Sequence, residues 1–279
     1  MLIMLIMLIM LIMLASGAAE LSAVLALYYD PHVNPVDALR HTGYAVCPAL
    51  YSSAFVARAQ AALERHYHVL GRPPLRGSGK SSIQPHAILS GSGLMIGQLL
   101  AHAPELIEGY LDPQMLAIAG EALGEGMRVE TTAAVISDEH RNPMITWHNH
   151  VGGLDEDSER RVDLETLDPA RVRRVTVLIY LDGLSDETGP LIVHPRELAD
   201  PIDCPFPGDD YRVDWQGSVV VTGPPGTAVL LEERTWHASL ARKTPGYRRF
   251  VGAMLVAAWA PPADNVDPTV STYADRLLR

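Results

Sequence analysis

The pattern of hydrophobic and polar positions changes near residue 126, and the part before it predicts helices. Apolar residues recur with helical spacing over residues 54–69, directly after two serines suited to cap a helix. Residues 104–110 and Pro113–Leu123 predict two further helices, the second closed by a glycine. The first part of the chain is therefore expected to be mainly helical, with short extended pieces.

After residue 126, short runs rich in Val, Ile, Leu and Thr are separated by Gly, Pro and Asp, which is typical of strands and turns. These runs are residues 129–136, 172–181, 219–222, 228–231 and 250–259. Many short strands at such intervals favour a sandwich or a jelly-roll barrel. Helices followed by strands predict an α+β fold rather than a wound parallel sheet.

Composition limits the domain organisation and the class of partner. The chain has 279 residues, 48% of them hydrophobic, which suffices for one substantial core. We expect one domain over residues 20–279, with a helical part (20–127), a β core (128–260) and a tail (261–279). A net charge of −11 argues against nucleic acid as a partner, because phosphate-binding proteins present clustered Lys and Arg. Cys47 and Cys204 lack disulfide-framework or zinc-ribbon spacing, so a cytoplasmic location is expected.

The chain begins with a low-complexity repeat of Met, Leu and Ile over residues 1–14, within an apolar extension of residues 1–19. The repeat is shorter than the roughly 20 apolar residues that cross a bilayer as a helix. It also lacks the basic region that opens a secretory signal. Three interpretations stay open: an extension without a role in the chemistry, a membrane-associated helix, and a signal.

Two histidines form the first candidate metal-binding motif, His148-Asn149-His150. The preceding residues are apolar and favour a strand, on which positions i and i+2 point to the same face. Both imidazoles are then expected to face one barrel interior, and imidazole is a common ligand of first-row metals. The alternative is a pair of surface or hydrogen-bonded histidines ahead of the acidic segment 155–161.

A third histidine and an arginine follow near the end of the predicted core. His237 comes after a glycine turn and an apolar run, which places it at the end of a strand and makes it a candidate third ligand. Arg248 opens the strand 250–259, where an arginine can bind a carboxylate through two parallel N–H bonds. Alternation lets only Arg248 or its neighbour Arg249 face the interior, and we expect Arg248 to do so. A hydrogen-bonded core histidine and a solvated arginine are the alternatives.

The order of these motifs resembles the phytanoyl-CoA dioxygenase family of Fe(II)- and 2-oxoglutarate-dependent oxygenases. The resemblance rests on His148-x-His150, on Glu187-Thr-Gly-Pro-Leu-Ile-Val-His-Pro195, on Thr235-Trp-His-Ala-Ser239 and on Arg248. It extends upstream to the strand and turn at residues 42–50 and to the helix before the barrel, and so covers most of residues 36–259.

The resemblance implies a double-stranded β-helix, that is a cupin-like jelly roll, flanked by N-terminal helices. It implies that His148 and His237 bind Fe(II), that Arg248 binds the C5 carboxylate of 2-oxoglutarate and that Ser239 assists Arg248. The partners are then O2 and a small organic substrate, which the enzyme hydroxylates or otherwise oxidises. Trp147 and Trp236 flank proposed ligands and are candidates for the apolar wall of the pocket, with the aromatic core as the alternative, and Tyr180 is a further pocket candidate.

The sequence departs from the family at two places. His150 stands where the family has an acidic ligand, and residues 193–196 replace a family Gly-Ser-His segment, which leaves His194 as a loop residue near the pocket. We predict a three-histidine site in which His150 binds iron. The two rivals are a water or anion in place of His150, and a surrogate carboxylate from Asp155, Glu156 or Asp157.

Two other function classes stay open at this point. A zinc hydrolase fits the His-x-His pair but leaves Arg248 without a role. A barrel that binds a ligand without catalysis fits the missing carboxylate.

Overall fold

The structure is a computed structural model, and it describes residues 34–75, 80–91, 93–138, 144–151, 168, 170–262 and 266–278. The extension over residues 1–19 and the acidic segment 155–161, with its three candidate carboxylates, lie outside the described residues. None of the helices in the described ranges is both long and apolar enough to cross a membrane.

Five α-helices flank the sheets within the described ranges. They are α1 (Pro35–His41), α2 (Ser53–Val69), α3 (Leu99–His102), α4 (Pro113–Leu123) and α5 (Ala274–Leu277). Helix α2 begins after Ser52, whose hydroxyl accepts a hydrogen bond from the backbone N–H of Phe55 at 3.2 Å, as expected of an N-cap. The helix predicted over residues 104–110 was wrong: only a 3₁₀ turn forms, Pro104–Leu106, because the glycine at 109 adopts a positive φ of 78°.

Twelve strands form two antiparallel sheets in the same ranges. The strands are β1 (Tyr44–Cys47), β2 (Ser81–Gln84), β3 (Ala87–Ser90), β4 (Gly93–Gly97), β5 (Arg128–Asp138), β6 (Met144–His148), β7 (Arg174–Tyr180), β8 (Leu191–Val193), β9 (Val219–Val221), β10 (Thr227–Glu232), β11 (His237–Leu240) and β12 (Tyr247–Val256). The larger sheet has the order β1-β10-β7-β12-β5-β4-β3-β2, and the smaller sheet has the order β6-β11-β8-β9.

The two sheets and the helices form successive layers. One face of the larger sheet packs on α1, α2 and α4 through a large apolar cluster, centred on residues such as Leu63, Met115 and Val177. The other face meets the smaller sheet through a second cluster that includes Leu178, Leu191 and Val229. The mixed fold with a jelly-roll core confirms the predicted fold class. All five predicted strands are present, with end points shifted by a few residues.

The prediction that helices come first and strands afterwards needs a correction. Strands β2, β3 and β4 lie before α4 in sequence and extend the larger sheet beside β5. Their short, partly polar segments, such as Ser81-Ser-Ile-Gln84, carry little hydrophobic periodicity. They are strands because β5 offers them an edge to pair with, which local sequence does not reveal.

Candidate metal centre

Three histidines meet between the two sheets. His148 is the last residue of β6 and pairs in register with His237, the first residue of β11. His150 lies two residues beyond β6, where its backbone N–H donates to the carbonyl of Glu233 at 2.8 Å. One candidate ligand atom from each imidazole lies within 4.8 Å of the other two. The structure thus brings together all three histidines that the sequence singled out.

A β-bulge in β6 turns the side chain of His148 towards the other two histidines. His237 pairs with His148, but Ser239 pairs with Ile145, so two residues of β6, Thr146 and Trp147, oppose the single residue Ala238. The extra residue reverses the alternation of β6. As a result both Ile145 and His148 line the space between the sheets, while Trp147 packs on the outer face.

Two details of the sequence prediction were wrong. His148 and His150 do not share a strand face, because β6 ends at His148 and the chain leaves the strand before His150. His237 starts strand β11 rather than ending the preceding strand, because a turn follows β10 at Glu232. The side chains converge nonetheless, since the sheet pairing and the contact with Glu233 fix all three backbones.

Hydrogen bonds orient the three imidazole rings. The Nδ1 atoms of His148 and His237 lie 2.7 and 2.9 Å from the carbonyl oxygens of Thr146 and Thr235. Since a carbonyl only accepts, each Nδ1 carries the proton and the lone pair is on Nε2, the nitrogen that would bind a metal. The Nδ1 of His150 lies 2.7 Å from the hydroxyl of Thr176 on β7, which orients that ring.

The site keeps the imidazoles of His150 and His237 neutral. Burial, and to a smaller extent His148, lowers the pKa of His150 to about 3. Burial, followed by the two neighbouring histidines, lowers the pKa of His237 well below its usual value. Neutral imidazole is the form that binds a metal cation. Among the described residues, no carboxylate joins this cluster.

A buried ion-pair network holds the backbone of His150, and sequence reasoning missed it. Glu233, whose carbonyl binds His150, accepts hydrogen bonds from Arg173 at 2.6 and 2.8 Å. Arg174 pairs with Glu130 at 2.8 Å and approaches Glu233 at 3.5 Å. The adjacent pairs Arg173-Arg174 and Glu232-Glu233 at strand ends were the available signal, but adjacency alone does not say which side chains turn inward.

We predict that Arg173→Ala lowers the free energy of unfolding by about 3–5 kcal/mol, because the buried Glu233 loses its bidentate partner. Chemical denaturation measures this loss. Arg212→Ala is the matched control: its pair with Asp214 is exposed, so no measurable change is expected. A loss as small as that of the control would show that the Glu233 carboxylate is solvated in solution.

Arg248 lies on β12 beside the histidine cluster and is 3% exposed. Its guanidinium donates to the hydroxyl of Ser239 at 2.7 Å and to the carbonyl of Gly189 at 3.0 Å. It also lies over the rings of Tyr180 and Phe250, 5.3 and 5.5 Å from their centroids. Burial lowers the pKa of Arg248, and the Tyr180 hydroxyl opposes this shift. The guanidinium stays charged, because even a shifted arginine titrates far above neutrality.

Arg248 differs from the other buried arginines in how its charge is paired. Four of these pair with carboxylates: Arg173 with Glu233, Arg174 with Glu130, and both Arg196 and Arg234 with Glu232. Among the described residues, no carboxylate forms an ion pair with Arg248. Its neighbour Arg249, by contrast, turns to the other face and binds Asp182 through both carboxylate oxygens, at 2.6 and 3.0 Å.

A cavity of about 380 Å³ lies between the sheets and contains all three histidines in its wall. Ser239, Tyr180 and Phe250 also line it, so three contacts of Arg248 face the cavity although Arg248 itself does not. The remaining wall is mainly apolar, with residues such as Ile88, Met95, Val135 and Leu178.

Tyr180 lies where the sequence predicted, but two other expected pocket residues do not. Trp147 and Trp236 belong to a cluster on the outer face of the smaller sheet, where Trp147 stacks on Trp215 at 4.1 Å. The bulge in β6 explains the position of Trp147. His194 also lies outside the cavity wall and packs against Trp215 and Phe206.

Comparison with known families and structures gives a consistent assignment. A family model described as phytanoyl-CoA dioxygenase matches residues 39–250. No curated protein sequence matches the chain. The matched range includes every element that carries a histidine of the cluster, as well as Arg248.

Solved structures share the fold at low sequence identity. The non-heme alpha-ketoglutarate-dependent carbocyclase SnoK of nogalamycin biosynthesis is 20% identical, with a TM-score of 0.61, over 85% of this chain and 95% of that one. HygX from Streptomyces hygroscopicus, solved with nickel and 2-oxoglutarate, is 19% identical, with a TM-score of 0.57, over 84% and 88%. The epimerase SnoN of nogalamycin biosynthesis is 16% identical, with a TM-score of 0.58, over 80% of each chain. At these identities the similarity establishes the fold.

Proposed function

The chain belongs to the phytanoyl-CoA dioxygenase family, and on that premise we propose that it is an Fe(II)- and 2-oxoglutarate-dependent oxygenase with a three-histidine iron site. The observation that carries the proposal is the pairing of a histidine cluster in the cavity wall with a buried arginine directly behind that wall. Three imidazoles converge on one point, and Ser239, two residues along β11 from His237, accepts a hydrogen bond from a buried arginine that has no carboxylate partner among the described residues.

The residues present fit a divalent iron. Imidazole nitrogen suits Fe(II), and the contacts of the His148 and His237 Nδ1 atoms with carbonyl oxygens make Nε2 the nitrogen that would bind the metal. We assign His148, His150 and His237 as the iron ligands. Three protein ligands leave further coordination positions for a cosubstrate and O2. When bound, iron with 2-oxoglutarate supplies the oxidising chemistry.

Arg248 fits a dicarboxylate cosubstrate. A buried cation is most stable when it is paired with an anion, and the two hydrogen bonds of Arg248 go to neutral groups, so a carboxylate ligand would complete its pairing. Ser239 lies two residues along β11 from His237, which is about 7 Å of strand, and both side chains line the cavity. A five-carbon dicarboxylate can therefore reach Arg248 and Ser239 with one end and the iron site with the other.

The protein's own part in the reaction is to exclude water and to position the substrate. The apolar wall formed by residues such as Met95, Val135 and Leu178 favours a small organic substrate that presents a hydrocarbon surface. The neighbours named above include an epimerase and a carbocyclase, so the fold supports oxidations other than hydroxylation. For this chain we propose a reaction that begins with oxidation of an unactivated carbon of the substrate, whether the product is hydroxylated or otherwise oxidised.

Anaerobic addition of Fe(II) and 2-oxoglutarate to the metal-free protein is expected to produce a visible charge-transfer band. The band requires that the cosubstrate bind the iron directly. Admission of O2 should then bleach the band and convert 2-oxoglutarate to succinate, which chromatography measures.

Zn(II) in place of Fe(II) is the matched control, since zinc has no redox chemistry and should give neither band nor succinate. Absence of the band with Fe(II), together with tight zinc binding, would instead support a zinc hydrolase. Absence of metal binding altogether would support a barrel that binds a ligand without catalysis.

A further inference from the structure

A second group of three histidines lies outside the proposed iron site. His66 belongs to α2, His86 lies in the turn between β2 and β3, and His102 is the last residue of α3. These three elements are far apart in sequence and meet at one edge of the larger sheet. One candidate ligand atom from each ring lies within 4.8 Å of the other two.

The spacing of the closest pair is that of two ligands on one cation. The Nε2 atoms of His66 and His86 are 3.1 Å apart. Two nitrogens bound to one zinc ion at about 2.0–2.1 Å each, at a tetrahedral angle, lie roughly 3.3 Å from one another. The ring of His102 stacks on that of His86 at a centroid distance of 3.7 Å, and because His102 is exposed, its ring can turn its in-plane lone pair towards the same cation.

A hydrogen bond between two neutral imidazoles also explains the 3.1 Å contact, but that bond does not involve His102. Such a bond needs one proton between the two Nε2 atoms. A divalent cation in place of that proton would bind both nitrogens and engage His102 as well. Burial, followed by its two histidine neighbours, lowers the pKa of His66 to about 4, so its lone pair is available at neutral pH.

We propose that His66, His86 and His102 form a second metal site that takes a late first-row divalent cation, of which zinc is the representative. Imidazole donors suit such cations. The exposure of His102 leaves the fourth position open to water or to a ligand atom from solvent.

The site would fix one wall of the cavity. His86 lines the cavity, and its carbonyl accepts a hydrogen bond from the N–H of Gly97 on β4 at 2.7 Å. A cation bound to all three histidines ties this turn to α2 and α3. The hairpin of β2 and β3, at the end of the sheet, is thereby anchored to the helical layer.

Zinc alone is the probe for the test, added to the full chain after chelator treatment, with bound zinc per chain measured after equilibrium dialysis. We expect two equivalents for the wild-type protein and one for His237→Ala, which lacks a ligand of the first site. His102→Ala is expected to lose the other equivalent, and the double variant to bind none. His102 is exposed, so this substitution is not expected to impair folding.

His68→Ala is the matched control, because His68 is an exposed residue of the same helix as His66 and lies outside the cluster. It should retain both equivalents. Zinc should also raise the Tm of His237→Ala but not that of the double variant, since only a cation bound to the native state stabilises it. The proposal is overturned when His237→Ala binds no zinc, or when His102→Ala binds as much zinc as the wild type.

Discussion

His150→Ala is expected to lower the affinity for Fe(II) by more than about 100-fold and to abolish coupled turnover, because it removes one of the three proposed iron ligands. Loss of a residue that merely orients a ligand costs about 10- to 100-fold in metal affinity, so loss of the ligand itself costs more. Titration of Fe(II) under anaerobic conditions measures the affinity. Succinate formed per product measures the coupling.

Two variants separate the three-histidine site from its rivals. Asp155→Ala should keep wild-type affinity for iron, whereas a surrogate carboxylate from the acidic segment would make this variant lose it. His194→Ala is the control for the loss of a histidine outside the cluster, since His194 is half-buried, packs against Phe206 and lies outside the cavity wall. The three-histidine assignment fails if His150→Ala binds iron like the wild type while Asp155→Ala does not.

The charge of the site follows from the same assignment. Three imidazoles add no negative charge, so Fe(II) keeps both its positive charges until 2-oxoglutarate binds. A site with one carboxylate ligand would carry one charge less. We therefore expect the dianionic cosubstrate to bind more tightly to the wild type than to His150→Asp, where that variant holds iron.

The sequence predicted the strands of the core because buried strands carry strong hydrophobic runs. Strands β7 and β10 are buried along their whole length and were placed to within two residues. Strands β2 to β4 were missed. Residues such as Ser81 and Gln84 pair at an exposed edge, where contact with the neighbouring strand, and not hydrophobic periodicity, determines that a strand forms.

The sequence predicted which histidines come together, but not the backbone geometry that brings them together. Regular alternation placed His148 and His150 on one face, whereas the bulge opposite Ala238 and the carbonyl of Glu233 are what bring them together. A bulge depends on the register between two strands, which a single strand does not encode. The same limit explains why Trp147 was expected in the cavity and lies outside it.

The alternation of side chains along a strand correctly predicted which of two arginines on β12 faces inward, because the strand is regular there. Arg248 and Arg249 are adjacent on β12, and their pairing with Ser137 and Ile136 of β5 continues without a break. Arg248 faces inward towards Ser239, while Arg249 reaches Asp182. The two arginines are adjacent on one strand, but they face opposite sides of the sheet and so have different partners.

Arg248→Ala is expected to raise the Kd for 2-oxoglutarate about 100-fold while leaving the affinity for Fe(II) unchanged. A hydrogen-bonded charge pair at a buried site contributes about 1.5–3 kcal/mol, and about 1.4 kcal/mol corresponds to tenfold in affinity. The charge-transfer band, titrated with 2-oxoglutarate at saturating Fe(II), reports this Kd directly. The separate iron titration shows whether the fold and the histidine cluster survive the substitution.

Arg249→Ala is the matched control on the same strand, and it should change the Kd for 2-oxoglutarate by less than about threefold, since its guanidinium is already paired with Asp182. Arg248→Lys keeps the charge but not the planar fork that binds a carboxylate through two parallel bonds, so its Kd should fall between those of the wild type and Arg248→Ala.

The opposite ranking of Arg248→Ala and Arg249→Ala would mean that the cosubstrate binds on the Asp182 side of β12. Equal and small effects would leave the buried charge of Arg248 without a function in cosubstrate binding, and Ser239 and Tyr180 would then have to hold the dicarboxylate without it.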